Sequence, residues 1–109
     1  MLKPILRSRN AENVLLFILA RGEGYPREIA KFFNTDYFPI HQQLEKLEAG
    51  GVLYSRTAGR TRLYAFNPRY PFLAELKGLL EKALSFYPAE EREKLLKARQ
   101  RPRRRGKPL

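Results

Sequence analysis

A short segment of the chain, HQQLEKLEAGGVLYSR (41–56), combines side chains that suit nucleic-acid binding. At its start, His41 and Gln42 carry polar groups that can pair with the edge of a base. At its end, Arg56 opens a basic stretch whose positive charge suits phosphate groups. Two glycines at 50–51 separate these groups, which predicts a helix that ends abruptly and runs directly into a strand.

Net charge is the most unusual property of the sequence. The 109 residues contain 22 Lys and Arg against 11 Asp and Glu, a formal charge of +11. The segment 99–109 contains six positive charges and no negative one, and the stretch 49–74 contains four arginines and no acid. The basic charge therefore forms two patches, which indicate a polyanionic partner, most often nucleic acid and less often anionic lipid. A basic surface that is merely solvated is the alternative.

The same composition excludes several classes of protein. Without cysteine there is no disulfide framework, thiolate metal site or cysteine nucleophile, and His41 is the only histidine. The sequence contains no GxxxxGK[ST] loop and no HExxH or GxSxG motif, so we expect neither an enzyme nor a bound metal or cofactor. The longest apolar run, 14–20, is too short to span a membrane, and the N-terminus lacks the features of a signal peptide. These features predict a cytoplasmic protein.

Turn and cap residues divide the chain into a series of elements. Asn10 suits the N-cap of a first helix, Gly22 suits its end, and prolines at 26, 39 and 71 suit the first turns of later helices. The segment 99–109 is predicted to be a disordered basic tail. The predicted elements are helices over 11–21, 26–33 and 37–49, strands over 52–57 and 61–66 joined by a three-residue loop, a long amphipathic helix over 72–87 and a short charged helix over 88–98.

Three helices followed by a two-stranded hairpin predict a winged helix-turn-helix, a mostly α fold with a small β-hairpin wing (α+β class). The domain is predicted to cover 1–87, including a long C-terminal dimerisation helix. In the third helix, Ile40 and Leu44 belong to the predicted buried stripe, whereas Phe38 and Gln42 point to the opposite side. In such a fold the third helix enters the major groove of DNA, and the basic hairpin reaches the neighbouring phosphates or the minor groove.

The segment YFPIHQQLEKLEAGGVLYSRTAGRTRLYAFNP (37–68) resembles the third helix and wing of ArsR-like winged-helix repressors, with QLEKLEAGGVL (43–53) as the matching core. The resemblance extends over residues 10–87. It is shared with MarR-like regulators and with winged-helix modules found beside nucleotidyltransferases. It implies a sequence-specific transcriptional regulator, acting as a repressor, that binds double-stranded DNA as a homodimer and is associated with the nucleoid.

The pattern and the resemblance together assign residues to these roles. The expected DNA contacts are Tyr37, Phe38, His41, Gln42 and Lys46 on the third helix, Arg56, Arg60 and Arg62 on the wing, and Arg103, Arg104 and Arg105 in the tail. The expected dimer contacts lie on the first helix and on the long amphipathic helix over 72–87. They are Leu15, Phe17, Ile18, Leu76, Leu80 and Leu84. Metal-sensing members of the family use clusters of cysteine, histidine and carboxylate, so the lack of cysteine argues against a metal switch here.

Several of these residues have a second interpretation. Phe38 could fold back into the core against the second helix, His41 could be a solvated helix residue, and Tyr25 could either donate to a phosphate or simply pack. A winged helix can also serve as a protein–protein module, for example as the partner of a separate nucleotidyltransferase, and Phe38 would then be an anchor. The basic tail alone could support RNA binding.

Overall fold

The computed structural model describes residues 1–100 of the chain, and the side chains of 1–96. Within this range the chain forms six helices and one two-stranded antiparallel sheet. The predicted order of three helices and a hairpin is confirmed, and α1 is an additional element that the sequence pattern does not predict. The elements are α1 (Lys3–Leu6), α2 (Arg9–Arg21), α3 (Pro26–Phe32), α4 (Tyr37–Ala49), β1 (Leu53–Ala58), β2 (Thr61–Phe66), α5 (Leu73–Ser85) and α6 (Ala89–Gln100).

Helix α2 lies at the centre of the protein and contacts α1, α4, α5, α6 and β2. Its middle, 14–18, is almost completely buried. A helix with apolar residues on every face needs cover from every side. Here the other helices of the same chain provide that cover.

This packing overturns part of the predicted dimer interface. Leu15, Phe17 and Ile18 are at most 1% exposed in the single chain, and Leu80 of α5 is fully buried in the same cluster. A side chain with no exposed surface in the protomer has none to offer a second copy. The prediction that these four residues form the dimer interface is therefore wrong, because they build the protomer's own core.

Helix α2 begins earlier than the sequence pattern predicts. Ser8 caps it instead of Asn10, and the backbone N–H of Ala11 donates to Ser8 Oγ over 3.1 Å. Serine and asparagine are about equally good N-caps, so the preceding backbone decides between them. Arg7 adopts a left-handed conformation with φ 63°, which ends α1 and turns the chain into α2 two residues earlier than predicted.

Backbone hydrogen bonds join the hairpin to the helical core. Gly24, in the loop between α2 and α3, exchanges two backbone hydrogen bonds with Tyr64 of β2, at 3.0 and 2.8 Å. A Cβ at position 24 would lie 2.7 Å from the ring of Phe17, so a larger residue has no room there. Glycine at this position therefore allows the α2–α3 loop to approach both the core and the strand.

The turn of the hairpin is one residue shorter than predicted. Ala58 pairs with Thr61 and still belongs to β1, which leaves Gly59 and Arg60 as a two-residue turn. Gly59 has a φ of 65°, which glycine adopts without strain and which two-residue hairpin turns require. The short turn places Arg60 at the tip of the hairpin.

Helix α6 belongs to the same core and is not a separate charged segment. It packs along α2, and Leu95 on its inner side is only 3% exposed. Arg21 at the end of α2 donates from Nε to the carbonyl oxygen of Leu95 over 3.5 Å. The boundary expected after residue 87 therefore falls inside one packed unit. Of the predicted tail, residues 101–109 lie outside the described range.

The carboxylate of Glu12, in α2, is buried in this core, and only 2% of the residue is exposed. It accepts hydrogen bonds from the hydroxyl of Tyr87, from the backbone N–H of Leu2 (2.9 Å) and from the amino group of Met1 (3.2 Å). Burial raises the pKa of this carboxyl, but the hydrogen bonds from Tyr87, Leu2 and the amino group of Met1, together with the positive charge of that amino group, outweigh burial, so the pKa lies below its ordinary value. The carboxylate thereby joins the segment before α2 to the α5–α6 corner.

The variant Tyr87→Phe should destabilise the fold, because Glu12 would lose its hydroxyl donor while it stays buried. We expect the free energy of unfolding to fall by about 1–3 kcal/mol, measured by urea denaturation at neutral pH. Tyr54→Phe, which removes the hydroxyl of an exposed tyrosine, is the matched control. An equal loss in the two variants would contradict the role assigned to the buried carboxylate.

The hydrogen bonds of the Glu12 carboxylate should also make the unfolding free energy depend on pH. Because the pKa of Glu12 is lowered in the folded state, its hydrogen bonds stabilise the protein above the ordinary value of 4.5. This stabilisation is lost as the pH falls through the lower value of the folded state. The difference in unfolding free energy between the wild type and Tyr87→Phe should therefore shrink in acid.

Candidate nucleic-acid interface

A cleft of about 220 Å³ opens where the starts of α3 and α4 face the hairpin. Arginine and aromatic side chains dominate its lining, and none of the described residues that line it is acidic. The lining residues are Tyr25, Pro26, Arg27, Tyr37, His41, Arg60, Thr61, Arg62 and Tyr64. Concave surfaces that carry charge of one sign concentrate ligands of the opposite sign, so this cleft suits an anionic group.

Three side chains form a stacked column along one wall of the cleft. The rings of Tyr37 and His41 lie 5.4 Å apart and are nearly parallel, at 17°, because residues four apart in a helix share a face. The guanidinium of Arg27, from α3, lies 4.8 Å from the centre of the Tyr37 ring. His41 Nε2 also lies 3.7 Å from Glu45 Oε2, one turn further along α4. His41 is therefore held between two neighbours and is not simply solvated.

The sequence interpretation missed Arg27. Its signal is its position directly after Pro26, in the first turn of the helix that precedes α4. In helix-turn-helix proteins that preceding helix crosses the DNA backbone, and a cation at its start can contact phosphate. Tyr25, the N-cap residue of α3, lines the same cleft.

The outward side of α4 carries the residues that the helical periodicity predicts there. Phe38 is 62% exposed and Gln42 is exposed as well, and Lys46 is exposed on the flank of this side. The alternative in which Phe38 folds back against α3 is therefore wrong. Ile40 and Leu44 are fully buried on the opposite side, where they attach the helix to the core.

The three arginines of the hairpin do not share one face, because successive residues of a strand point to opposite sides. Arg60 and Arg62 line the cleft. Arg56, which pairs with Leu63 across the hairpin, lies outside the cleft, and its guanidinium binds Glu23 over 2.9 Å. The structure thus brings two of the three predicted wing contacts to the candidate site and leaves Arg56 away from it.

A chain of hydrogen bonds holds Arg62 and joins the hairpin to α4. Arg62 donates to Ser55 Oγ over 2.9 Å, and the Ser55 hydroxyl donates to Glu48 Oε2 over 2.7 Å near the end of α4. Burial, followed by the charges of Glu48 and Glu45, raises the pKa of Tyr64, so the hydroxyl in the cleft stays neutral. The hairpin therefore keeps a fixed position relative to α4.

The tail residues Arg103, Arg104 and Arg105 lie outside the described range. Within the described residues, no group of three or more histidine and acidic side chains is placed to hold a metal ion. The helices of that same part of the chain include none that is long and apolar enough to cross a membrane.

No protein-family model and no curated protein matches the chain, but solved structures do. The homodimeric winged helix-turn-helix DNA-binding domain of Mb0332 from Mycobacterium bovis, a possible ArsR-family transcriptional regulator, is 20% identical, with a TM-score of 0.57 over 82% of this chain and 80% of that one. An apo-form double mutant of ZitR from Lactococcus lactis is 20% identical, with a TM-score of 0.55 over 89% and 82%. The adhesin competence repressor AdcR from Streptococcus pyogenes is 16% identical, with a TM-score of 0.51 over 89% and 81%.

These similarities establish the fold. The chain is a winged helix-turn-helix, with α2, α3 and α4 as its three-helix core and β1–β2 as its wing. Mb0332 and AdcR are by description a possible transcriptional regulator and a repressor, and not enzymes. The cleft therefore lies between the second helix of a helix-turn-helix and the wing.

The variant Arg60→Ala should weaken the binding of double-stranded DNA of random sequence and make that binding less dependent on salt. Arg60 lines the acid-free cleft, and the loss of one phosphate contact should reduce the slope of log K against log salt by about 0.9. Fluorescence anisotropy at several salt concentrations measures this slope. Arg56→Ala is the matched control, because it removes a charge from the same hairpin that Glu23 already neutralises. Equal slopes in the two variants would argue against the cleft as a site of phosphate contact.

Proposed function

We propose that the protein is a sequence-specific double-stranded DNA-binding regulator of transcription, with α4 in the major groove and the hairpin against the flanking phosphates. The observation that carries this proposal is the acid-free cleft beside the exposed first turns of α4. An α-helix is about 10–12 Å across and fits the major groove, which is about 12 Å wide. With α4 in that groove, the arginines of the cleft face the phosphate backbone that borders it.

The base-reading role falls to the exposed polar groups at the start of α4. Gln42 can pair through its amide with N6 and N7 of an adenine. The ring nitrogens of His41 can also reach a base edge, and its stacking on Tyr37 limits the orientations that the ring can adopt. Fewer orientations mean a smaller entropic cost when the ring binds.

The phosphate-binding role falls to the surrounding cations. Arg27, Arg60 and Arg62 converge on the cleft from α3 and the hairpin. Lys46, one turn beyond Gln42 on the exposed side of α4, can contact the backbone further along the groove. Contacts of this kind fix the position of a protein on DNA without reading its sequence.

We further propose that the protein acts as a homodimer through α5. Leu79 in the middle of α5 is 38% exposed, and Phe72 and Phe86, the N-cap and C-cap residues at its two ends, are 61% and 66% exposed. The three are seven residues apart, a spacing that suits one apolar stripe along the helix. Of the predicted interface residues, Leu76 and Leu84 are partly buried on the same helix. The Mb0332 domain, which has the same fold, is homodimeric, and this supports the proposal.

A repressor is the form of regulator that we propose. A dimer bound across a promoter blocks transcription by occupying it, and the fold is shared with the repressor AdcR. The basic tail, including Arg103, Arg104 and Arg105, would add affinity through phosphates without reading sequence. In this proposal the protein acts in the cytoplasm, on the nucleoid.

The variant Gln42→Ala should lose preference for the best DNA site by about 1–3 kcal/mol, because one amide–adenine pair would be missing. Binding to random DNA should stay nearly unchanged. The site is first recovered from a random duplex library, and both affinities are then measured at one salt concentration. Gln43→Ala, which changes the neighbouring and less exposed glutamine, is the matched control. An equal loss on both kinds of DNA would remove Gln42 from the base-reading set.

The variant Leu79→Glu should convert a dimer into a folded monomer, because it places a charge in the exposed stripe of α5. Sedimentation velocity measures the oligomeric state, and circular dichroism confirms that the variant stays folded. Leu80→Glu provides the contrast, since Leu80 is fully buried and a charge there should unfold the protomer. A wild-type protein that is monomeric and folded at micromolar concentration would refute the dimer.

A further inference from the structure

We propose that Phe38 reads the C5 methyl group of a thymine, so that the preferred DNA site carries a thymine one or two base pairs from the base that Gln42 contacts. This inference rests on the proposed function. It adds a specificity-determining residue to the site and a required base to the DNA.

Phe38 has a large apolar side chain that the rest of the protomer leaves exposed. It is the second residue of α4 and is 62% exposed. The other phenylalanines near this end of α4 pack on one another: the rings of Phe17, Phe32 and Phe33 meet at centroid distances of 4.9–6.5 Å. Among the described residues, no aromatic ring stacks on Phe38. Apolar surface left in water is unfavourable, so a bound partner that covers the phenyl ring gains free energy.

The chemistry of the ring limits what can cover it. A phenyl group has no hydrogen-bond donor or acceptor, so it cannot bind a phosphate or pair with the polar atoms of a base. The thymine methyl is the apolar group that base pairs present in the major groove, and phenylalanine is among the residues suited to contact it. Arg27, Arg60 and Arg62 line the cleft beside the start of α4, and a concave surface that carries positive charge attracts a polyanion, here the phosphates that border a DNA groove. The charge around Phe38 therefore favours DNA as the occupant.

The spacing on the helix fixes where the thymine must lie. Phe38 and Gln42 are four residues apart and both exposed, so they share the outward face of α4 about 6 Å apart along its axis. Base pairs stack about 3.4 Å apart. A helix that lies along the groove therefore places the two side chains on base pairs that are one or two steps apart.

Replacement of thymine by deoxyuridine tests this assignment, because it removes only the methyl group. Each thymine of the duplex recovered by selection is replaced in turn, and affinity is measured by fluorescence anisotropy at one salt concentration. The wild-type protein should bind about fourfold more weakly when the contacted thymine is replaced, the factor expected for one methyl group returned to water. Phe38→Ala should bind the thymine and deoxyuridine duplexes equally, whereas Phe38→Leu, which keeps an apolar side chain, should still distinguish them.

Tyr54→Ala is the control, since it removes an exposed aromatic ring that lies outside the cleft and should keep the fourfold difference. Circular dichroism establishes that each variant is folded. The proposal is overturned if the wild type binds both duplexes equally at every position, or if Phe38→Ala still distinguishes them. Failure of the wild type to bind any duplex would instead overturn the proposed function itself. A Phe38→Ala variant with unchanged DNA affinity would point to a protein partner and reject the thymine contact.

Discussion

The burial of α2 is the constraint on which the rest of the structure depends. A helix that is apolar on every face must be covered on every side, and this chain covers it with α1, α4, α5, α6 and β2. Helix α4 contributes Ile40 and Leu44 to that cover, so its opposite face, with Phe38 and Gln42, must point to solvent. The same packing brings Gly24 against Phe17 and attaches the hairpin to the core. The orientation of the candidate DNA-binding surface is thus a consequence of core packing.

The distribution of charge around this surface follows from the register of the hairpin. Because neighbouring residues of a strand face opposite sides, Arg62 reaches the cleft while Arg56 pairs with Glu23 outside it. The short turn then adds Arg60, and the start of α3 adds Arg27. A high net charge alone would not distinguish a DNA-binding surface from a solvated one. The proposal of a DNA-binding surface therefore depends on the three guanidinium groups that line the cleft beside an exposed helix, with no acid among the described lining residues.

Local patterns predict every element except α1, and also the two faces of α4, because helical periodicity and turn residues depend on a few neighbouring positions. Non-local features were not predictable in the same way. The apolar pattern of α2 shows that Leu15 is buried, but not whether its own chain or a second copy buries it. Arg27 enters the cleft through the packing of α3 on α4, whereas the sequence shows only that it stands in the first turn of α3. Among the described side chains of α6, Leu95 is the one in the buried core, and one apolar residue is too weak a signal to assign the helix to the core from the sequence.

The most direct test of the central claim, that α4 and the hairpin form the DNA interface, is a titration of the nitrogen-15-labelled full chain with a duplex of roughly two helical turns, followed by amide chemical shifts. The shifts that change most should belong to the first turns of α4, the start of α3 and the hairpin turn. Changes confined to α5 and α6, or no changes at DNA concentrations above those of the protein, would contradict it.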